Sequence, residues 1–143
     1  MRMIILITLL SMFYASSRSQ DNKAIPPDVI DAFSMLYPAV KDVTWKNKAV
    51  DFEANFAQNE KIVSLLFDKS GNLKEVESEI NESDLPTNVS IVLAREYTDW
   101  TIRKVARVEI SGTSRYKAEI EKEDQFMELI FNTHGIISKE SKE

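Results

Sequence analysis

The sequence predicts an α+β protein built from two tandem repeats, each a helix followed by a four-stranded antiparallel sheet. Three observations carry that reading. A proline-opened apolar stripe of helical period occurs twice, at Ile25–Tyr37 and again at Leu85–Tyr97. A segment of period two then follows each stripe, Phe52-Glu53-Ala54-Asn55-Phe56 in the first case and Tyr116-Lys117-Ala118-Glu119-Ile120 in the second. Each ends in an apolar run and a glycine turn, Leu65-Leu66-Phe67-Asp68-Lys69-Ser70-Gly71 and Leu129-Ile130-Phe131-Asn132-Thr133-His134-Gly135. Matches that recur in the same order imply one supersecondary unit used twice.

Taken in chain order, residues 1–19 read as a signal peptide. Arg2 supplies a positive start, Met3–Leu10 is apolar apart from one Thr, and Ala15-Ser16-Ser17-Arg18-Ser19 offers small residues for cleavage after Ser17 or Ser19. The alternative is an uncleaved anchor, but the apolar run is shorter than the roughly 20 residues a membrane span requires. The first repeat is assigned to 20–81 and the second to 82–143, the two forming one compact unit.

In the first repeat Val29, Ala32, Phe33, Leu36 and Tyr37 lie on one helical face. Pro26 and Pro27 suit a first turn, whose N–H groups lack helical partners. Strands are expected at 41–47, 49–57, 60–69 and 73–80. Asn47-Lys48, Gln58-Asn59 and Asp68–Gly71 are the expected turns. In the second repeat Val89, Val92, Leu93 and Tyr97 form the stripe, with Ser83 or Asp84 available as cap. Strands follow at 101–110, 114–121, 124–132 and 135–140.

One helix per four strands covers one sheet face and leaves the other open. Val63, Leu65 and Phe67, with Met127, Leu129 and Phe131, would line the helix side. Ile62, Leu66, Phe126 and Ile130 would then point the opposite way and form a candidate partner-binding patch. The alternative is that other segments cover them or that the registers differ.

Composition removes several functions. The chain carries a formal charge of −5, and loss of Arg2 and Arg18 with the signal makes it −7. That disfavours nucleic acid, whose affinity depends on clustered Lys and Arg, and no membrane insertion is expected after cleavage. With no Cys and a single His, most routes to nucleophilic catalysis and to zinc are closed, and no catalytic residue, metal or cofactor is assigned. An exported chain with no disulfide must hold by its core alone, and about 124 residues suffice for one. His134 reads as a solvated turn residue. Asp68–Asn72 lacks the spaced acids of a calcium loop. Glu75, Glu77 and Glu79 alternate along one strand and read as a solvated edge, with a weak cation or basic-partner site as the alternative. Trp45, Trp100, Tyr37 and Tyr97 are assigned to helix–sheet packing.

The succession Ile25-Pro26-Pro27-Asp28-Val29, Tyr37-Pro38, Val43-Thr44-Trp45, Phe52–Phe56, Leu66–Leu73 and Leu85-Pro86 resembles the beta-lactamase-inhibitor-like, PepSY-like family of small exported bacterial proteins. The resemblance covers most of residues 25–140. It implies two helix-plus-sheet repeats with a concave combined sheet, export in a Gram-negative bacterium, and a name recording fold rather than activity. No match to the binding loops of the true inhibitor is found, so inhibition of a beta-lactamase does not carry over. Thr98 stands where the family usually has Pro, and Arg107 falls near the place of the Trp.

The function expected is that of a periplasmic or secreted, non-enzymatic binding protein that holds a protein partner on its open sheet face. By analogy of fold the partner is an extracytoplasmic enzyme, which it would inhibit. The rival reading is a small-ligand or cation-sensing module.

Overall fold

Two short helices lie on one side of a single curved sheet. The computed structural model describes residues 24–142, and the predicted signal peptide lies outside them. The element order is α1 (Pro27–Leu36), β1 (Thr44–Lys48), β2 (Asp51–Gln58), β3 (Lys61–Phe67), β4 (Leu73–Ile80), a 3-10 turn (Glu82–Asp84), α2 (Thr87–Glu96), β5 (Thr101–Ile110), β6 (Thr113–Lys122), β7 (Gln125–Phe131) and β8 (Ile137–Lys142). All eight strands form one antiparallel sheet in sequence order. The four strands of each half thus join into one sheet, because β4 and β5 pair from Val76↔Glu109 to Ile80↔Val105.

α1 starts at Pro27 with Pro26 as its N-cap, so the missing proline N–H groups fall where no helical acceptor exists. Its ridge of Val29, Phe33 and Tyr37, spaced i, i+4, i+8, meets the sheet. Leu36, expected on that face, lies on its flank and is 52% exposed. α2 uses Pro86 as N-cap. Asp84 does not cap α2 as expected; it closes a capping box with Asn81 around the 3-10 turn one step earlier.

Tight hairpins set the register. Asn59 and Glu60 both take positive φ and join β2 to β3, while Ser111 and Gly112 do the same between β5 and β6, as two-residue hairpin loops require. The first hairpin turns at Ala49 rather than at Asn47-Lys48. Asp68 Oδ1 accepts from the backbone N–H groups of Ser70 and Asn72, and Asn132 Oδ1 accepts from those of His134 and Ile136. Gly71 and Gly135 in these turns have positive φ and abut the first turns of α1 and α2. A Cβ at Gly71 would fall 2.5 Å from the Asp28 carbonyl oxygen, and one at Gly135 2.7 Å from that of Asn88. No other residue fits both constraints.

The core divides into two clusters on the helix side. One joins Val29 and Phe33 to Phe52, Ala54, Phe56, Val63, Leu65 and Phe67, with Trp45 packed against it. The other joins Leu85, Val89 and Leu93 to Val105, Ala118, Ile120, Met127, Leu129 and Phe131, with Tyr97 and Trp100 against it. Trp45, Trp100, Tyr37 and Tyr97 thus pack as assigned. Trp45 pairs with Ala54, and Val105 pairs with Ala118. Val105 therefore holds in the α2 half the position of Trp45 in the α1 half, correcting the placement of Arg107 there. The longer β5–β6 hairpin causes the difference: Val105 lies five residues before the closing pair Ile110↔Thr113, whereas Trp45 lies three before Lys48↔Asp51.

Candidate partner-binding face

The sheet face away from the helices is built in rows. One row reads Glu53, Leu66, Glu75 and the next Asn55, Ser64, Glu77, Val108, Arg115. The third reads Glu79, Ala106, Lys117, Ile130 and the fourth Lys104, Glu119, Glu128. Side chains two apart along a strand share a face, so each row is a stripe of neighbours across the sheet.

This face is concave. Lys48 of β1 and Ile130 of β7 line the same hollow of about 240 Å³. Six strand spacings in a flat sheet would separate those strands by roughly 29 Å, so the sheet curls toward this side. Ala106 and Val108 are buried although they face away from both helices, which places the middle of β5 at the bottom of the curve.

The centre of the face is ionic. Glu77 accepts from Lys117 Nζ at 2.5 Å and from Lys104 Nζ at 3.1 Å. Lys117 also lies 3.4 Å from Glu119 and 3.8 Å from Glu128. The side chains of Glu77 and Lys117 are only 13% and 12% exposed. Burial pushes the Glu77 carboxyl upward, but the hydrogen bonds and charges of Lys117 and Lys104 outweigh it and hold the group below its ordinary value. Burial likewise pulls Lys117 down, and Glu77 first, then Glu128 and Glu119, raise it above the usual lysine range. A polar ladder continues into β2 and β3, where Ser64 Oγ lies 2.6 Å from Asn55 Oδ1 and Asn55 Nδ2 donates to Glu53 at 2.8 Å.

Glu75 differs from its neighbours. Among the described residues it makes no hydrogen bond or ion pair. Burial raises its pKa, the charges of Glu77, Glu53 and Glu128 add to the rise, and Lys117 opposes it. β4 is thus a central strand and not the solvated edge expected for Glu75, Glu77 and Glu79. Among the described residues no group of three or more His, Cys, Asp or Glu side chains could hold a metal ion. His134 is exposed on its turn.

The four residues singled out from the sequence all lie off the core side, but not as one patch. They fall in three rows: Leu66 in the first, Ile62 opposite Glu79 and so in the third with Ile130, and Phe126, which pairs with Glu121, beyond the fourth. Ile62 is 43% and Phe126 47% exposed, while Leu66 and Ile130 are half-buried. Ile130 lines the central hollow; Leu66 lies between Glu53 and Glu75. Phe126 borders a separate hollow with Arg103, Glu119 and Glu128. The ionic centre escaped the sequence reading because its partners are far apart in the chain, Glu77 and Lys117 by 40 residues.

Two helices on one face of an eight-stranded antiparallel sheet, with the other face concave, define the α+β fold of proteins like the beta-lactamase inhibitor. A family model described as "Putative beta-lactamase-inhibitor-like, PepSY-like" matches residues 48–139, and the chain belongs to that family. Solved structures share the fold. A DUF2874 family protein from Bacteroides uniformis is 20% identical, with a TM-score of 0.73 over 82% of this chain and 88% of its own. A "putative periplasmic" protein from Bacteroides eggerthii is 16% identical, with a TM-score of 0.76 over 84% and 90%. A BLIP-like protein from Bacteroides fragilis is 22% identical, with a TM-score of 0.66 over 85% and 89%. No curated protein matches the chain. Among the described residues no helix is long and apolar enough to cross a membrane.

Proposed function

We propose that this is an exported, non-enzymatic binding protein that grips a protein partner on its concave sheet face. The observation that carries the reading is the face itself: eight strands curl around a surface that no helix among the described residues covers, with Ile62 and Phe126 exposed on it. A concave surface with apolar side chains around a polar centre can bury area against a convex partner. Membership of an inhibitor-like family and a structural relative described as "putative periplasmic" support the same reading, of which a periplasmic location is part. The segments 20–81 and 82–143 are read as two copies of one unit, which the order of helix and four strands in each half supports. An extracytoplasmic enzyme is the partner class suggested by the family's fold, with inhibition as the consequence of gripping it.

The test is affinity capture from the host's own envelope extract with identification by mass spectrometry. The bait is the wild-type protein and the variant Ile62→Ser, Leu66→Ser, Phe126→Ser, Ile130→Ser. A partner held by the wild type and by a helix-side control, Met35→Ser, should be lost from the fourfold variant. Retention by a folded fourfold variant would remove the open face from the reading. The rival cation-sensing role loses its basis in Glu77, which two lysines already neutralise.

A further inference from the structure

The central hollow contains two charges of opposite sign that no side chain among the described residues matches. It is lined by Lys48, Glu53, Glu75, Glu77, Arg115, Lys117 and Glu128 above an apolar floor of Val108, Ile110 and Ile130. Most of these charges are satisfied internally: Lys48 with Glu53, and Lys117 with Glu77 and Glu128. Glu75 and Arg115 remain, and among the described residues neither makes an ion pair or a hydrogen bond. They sit on β4 and β6, two strand spacings and one residue pair apart. That geometry separates their backbones by about 12 Å, and both side chains line the hollow on the concave face.

We propose that this hollow binds a short zwitterionic peptide, its ammonium group against Glu75, its carboxylate against Arg115 and one aliphatic side chain on Val108, Ile110 and Ile130. The guanidinium offers a forked donor set that matches a carboxylate. The half-buried carboxylate of Glu75, crowded by other acids, gains most from an incoming cation. The span fits a dipeptide, whose extended backbone covers roughly 7 Å, better than a single amino acid. A volume of about 240 Å³ also falls below the roughly 300 Å³ at which pockets for larger ligands begin. The site lies on the same face as the proposed partner grip and shares Ile130 with it, but uses none of Ile62, Leu66 and Phe126. Changes at Glu75 and Arg115, which the grip does not use, therefore separate it from capture of a protein.

The experiment is a titration of the isotope-labelled protein with the dipeptide Ala-Leu, followed by backbone amide NMR. Saturable shifts should cluster at Glu75, Val108, Arg115 and Ile130. N-acetyl-Ala-Leu, lacking the ammonium, and Ala-Leu-amide, lacking the carboxylate, should each bind about tenfold more weakly or worse. Glu75→Gln should erase the difference between Ala-Leu and its acetylated form, and Arg115→Gln the difference between Ala-Leu and its amide. Both side chains lack partners, so neither change should unfold the protein. Absence of saturable shifts, or equal binding of the blocked and free dipeptides, would overturn the proposal. Loss of Ala-Leu binding in Ile62→Ser, Phe126→Ser with retention in Glu75→Gln would overturn it as well, by moving the site to the rim.

Discussion

Beneath α1 the helix–sheet interface is a stack of rings, whereas beneath α2 it is mostly branched aliphatics. Phe33 contacts Tyr37, Trp45 and Phe56 with ring centroids 5.9, 5.5 and 5.5 Å apart, and Tyr37 meets Phe56 at 4.6 Å. In the α2 half the corresponding places are taken by Leu93, Val105 and Ile120. The lost volume shows: a groove of about 540 Å³ runs beside α2, lined by Leu85, Leu93, Ala94, Tyr97, Trp100 and Ile102. On the opposite sheet face the contrast reverses. Lys104 and Lys117 of the α2 half meet Glu77, and Glu119 and Glu128 join them, in a partly buried network, while the α1 half offers the Asn55–Ser64 ladder and one more exposed pair, Lys48 with Glu53. The same layout is thus held by aromatic packing at one end and helped by charge pairing at the other.

The comparison can be broken most sharply at the two helix centres. Phe33→Ala should cost about 3–5 kcal/mol and Leu93→Ala about 2–4 kcal/mol in chemical denaturation, the smaller loss reflecting fewer atoms removed beside an existing groove. Equal losses would mean that the two cores are equally filled.

Next in size is the ionic network. Lys117→Ala leaves Glu77 half-compensated in a shielded site and should cost roughly 2–3 kcal/mol, below the value for fully buried pairs. The weakened amide protection should concentrate in β5–β7. The pH dependence has a definite sign. The Glu77 contribution is present above the ordinary carboxylate range and is lost as pH falls through its depressed native value. The Lys117 contribution is present below the ordinary lysine range and is lost as pH rises through its elevated native value. Thermal melts across pH should show both losses in the wild type and neither in Glu77→Gln, Lys117→Met.

The smallest effect belongs to Glu75. Its native pKa is raised, so its ionised form opposes folding at neutral pH and ceases to do so as pH falls through that raised value. Glu75→Gln should raise the melting temperature slightly at pH 7, with the gain vanishing at acid pH. A lowered melting temperature at pH 7 would show that the carboxylate is matched in solution.

Much of the fold could be read from residue order because the signals are local. Alternation around Phe52–Phe56 and Tyr116–Ile120, and the Asp68–Gly71 and Asn132–Gly135 turns, each depend on neighbours a few positions away. What escaped depends on contacts between distant segments. The longer β5–β6 hairpin puts Val105 where Arg107 was expected, and no local pattern announces it. The pairing of β4 with β5 turns a supposed edge into the centre of the sheet, giving Glu75 and Glu77 a role that alternation alone cannot reveal. Of the candidate patch the direction of each side chain was legible, since it follows from period two. Their spread over three rows was not, because a row is set by the register of several strands and not by any one of them.

The two glycine turns carry a consequence for how the chain assembles. Each lies flush against the opening turn of a helix made some forty residues earlier. The fit at each helix start is therefore complete only once the third strand of the same half and the turn after it are in place.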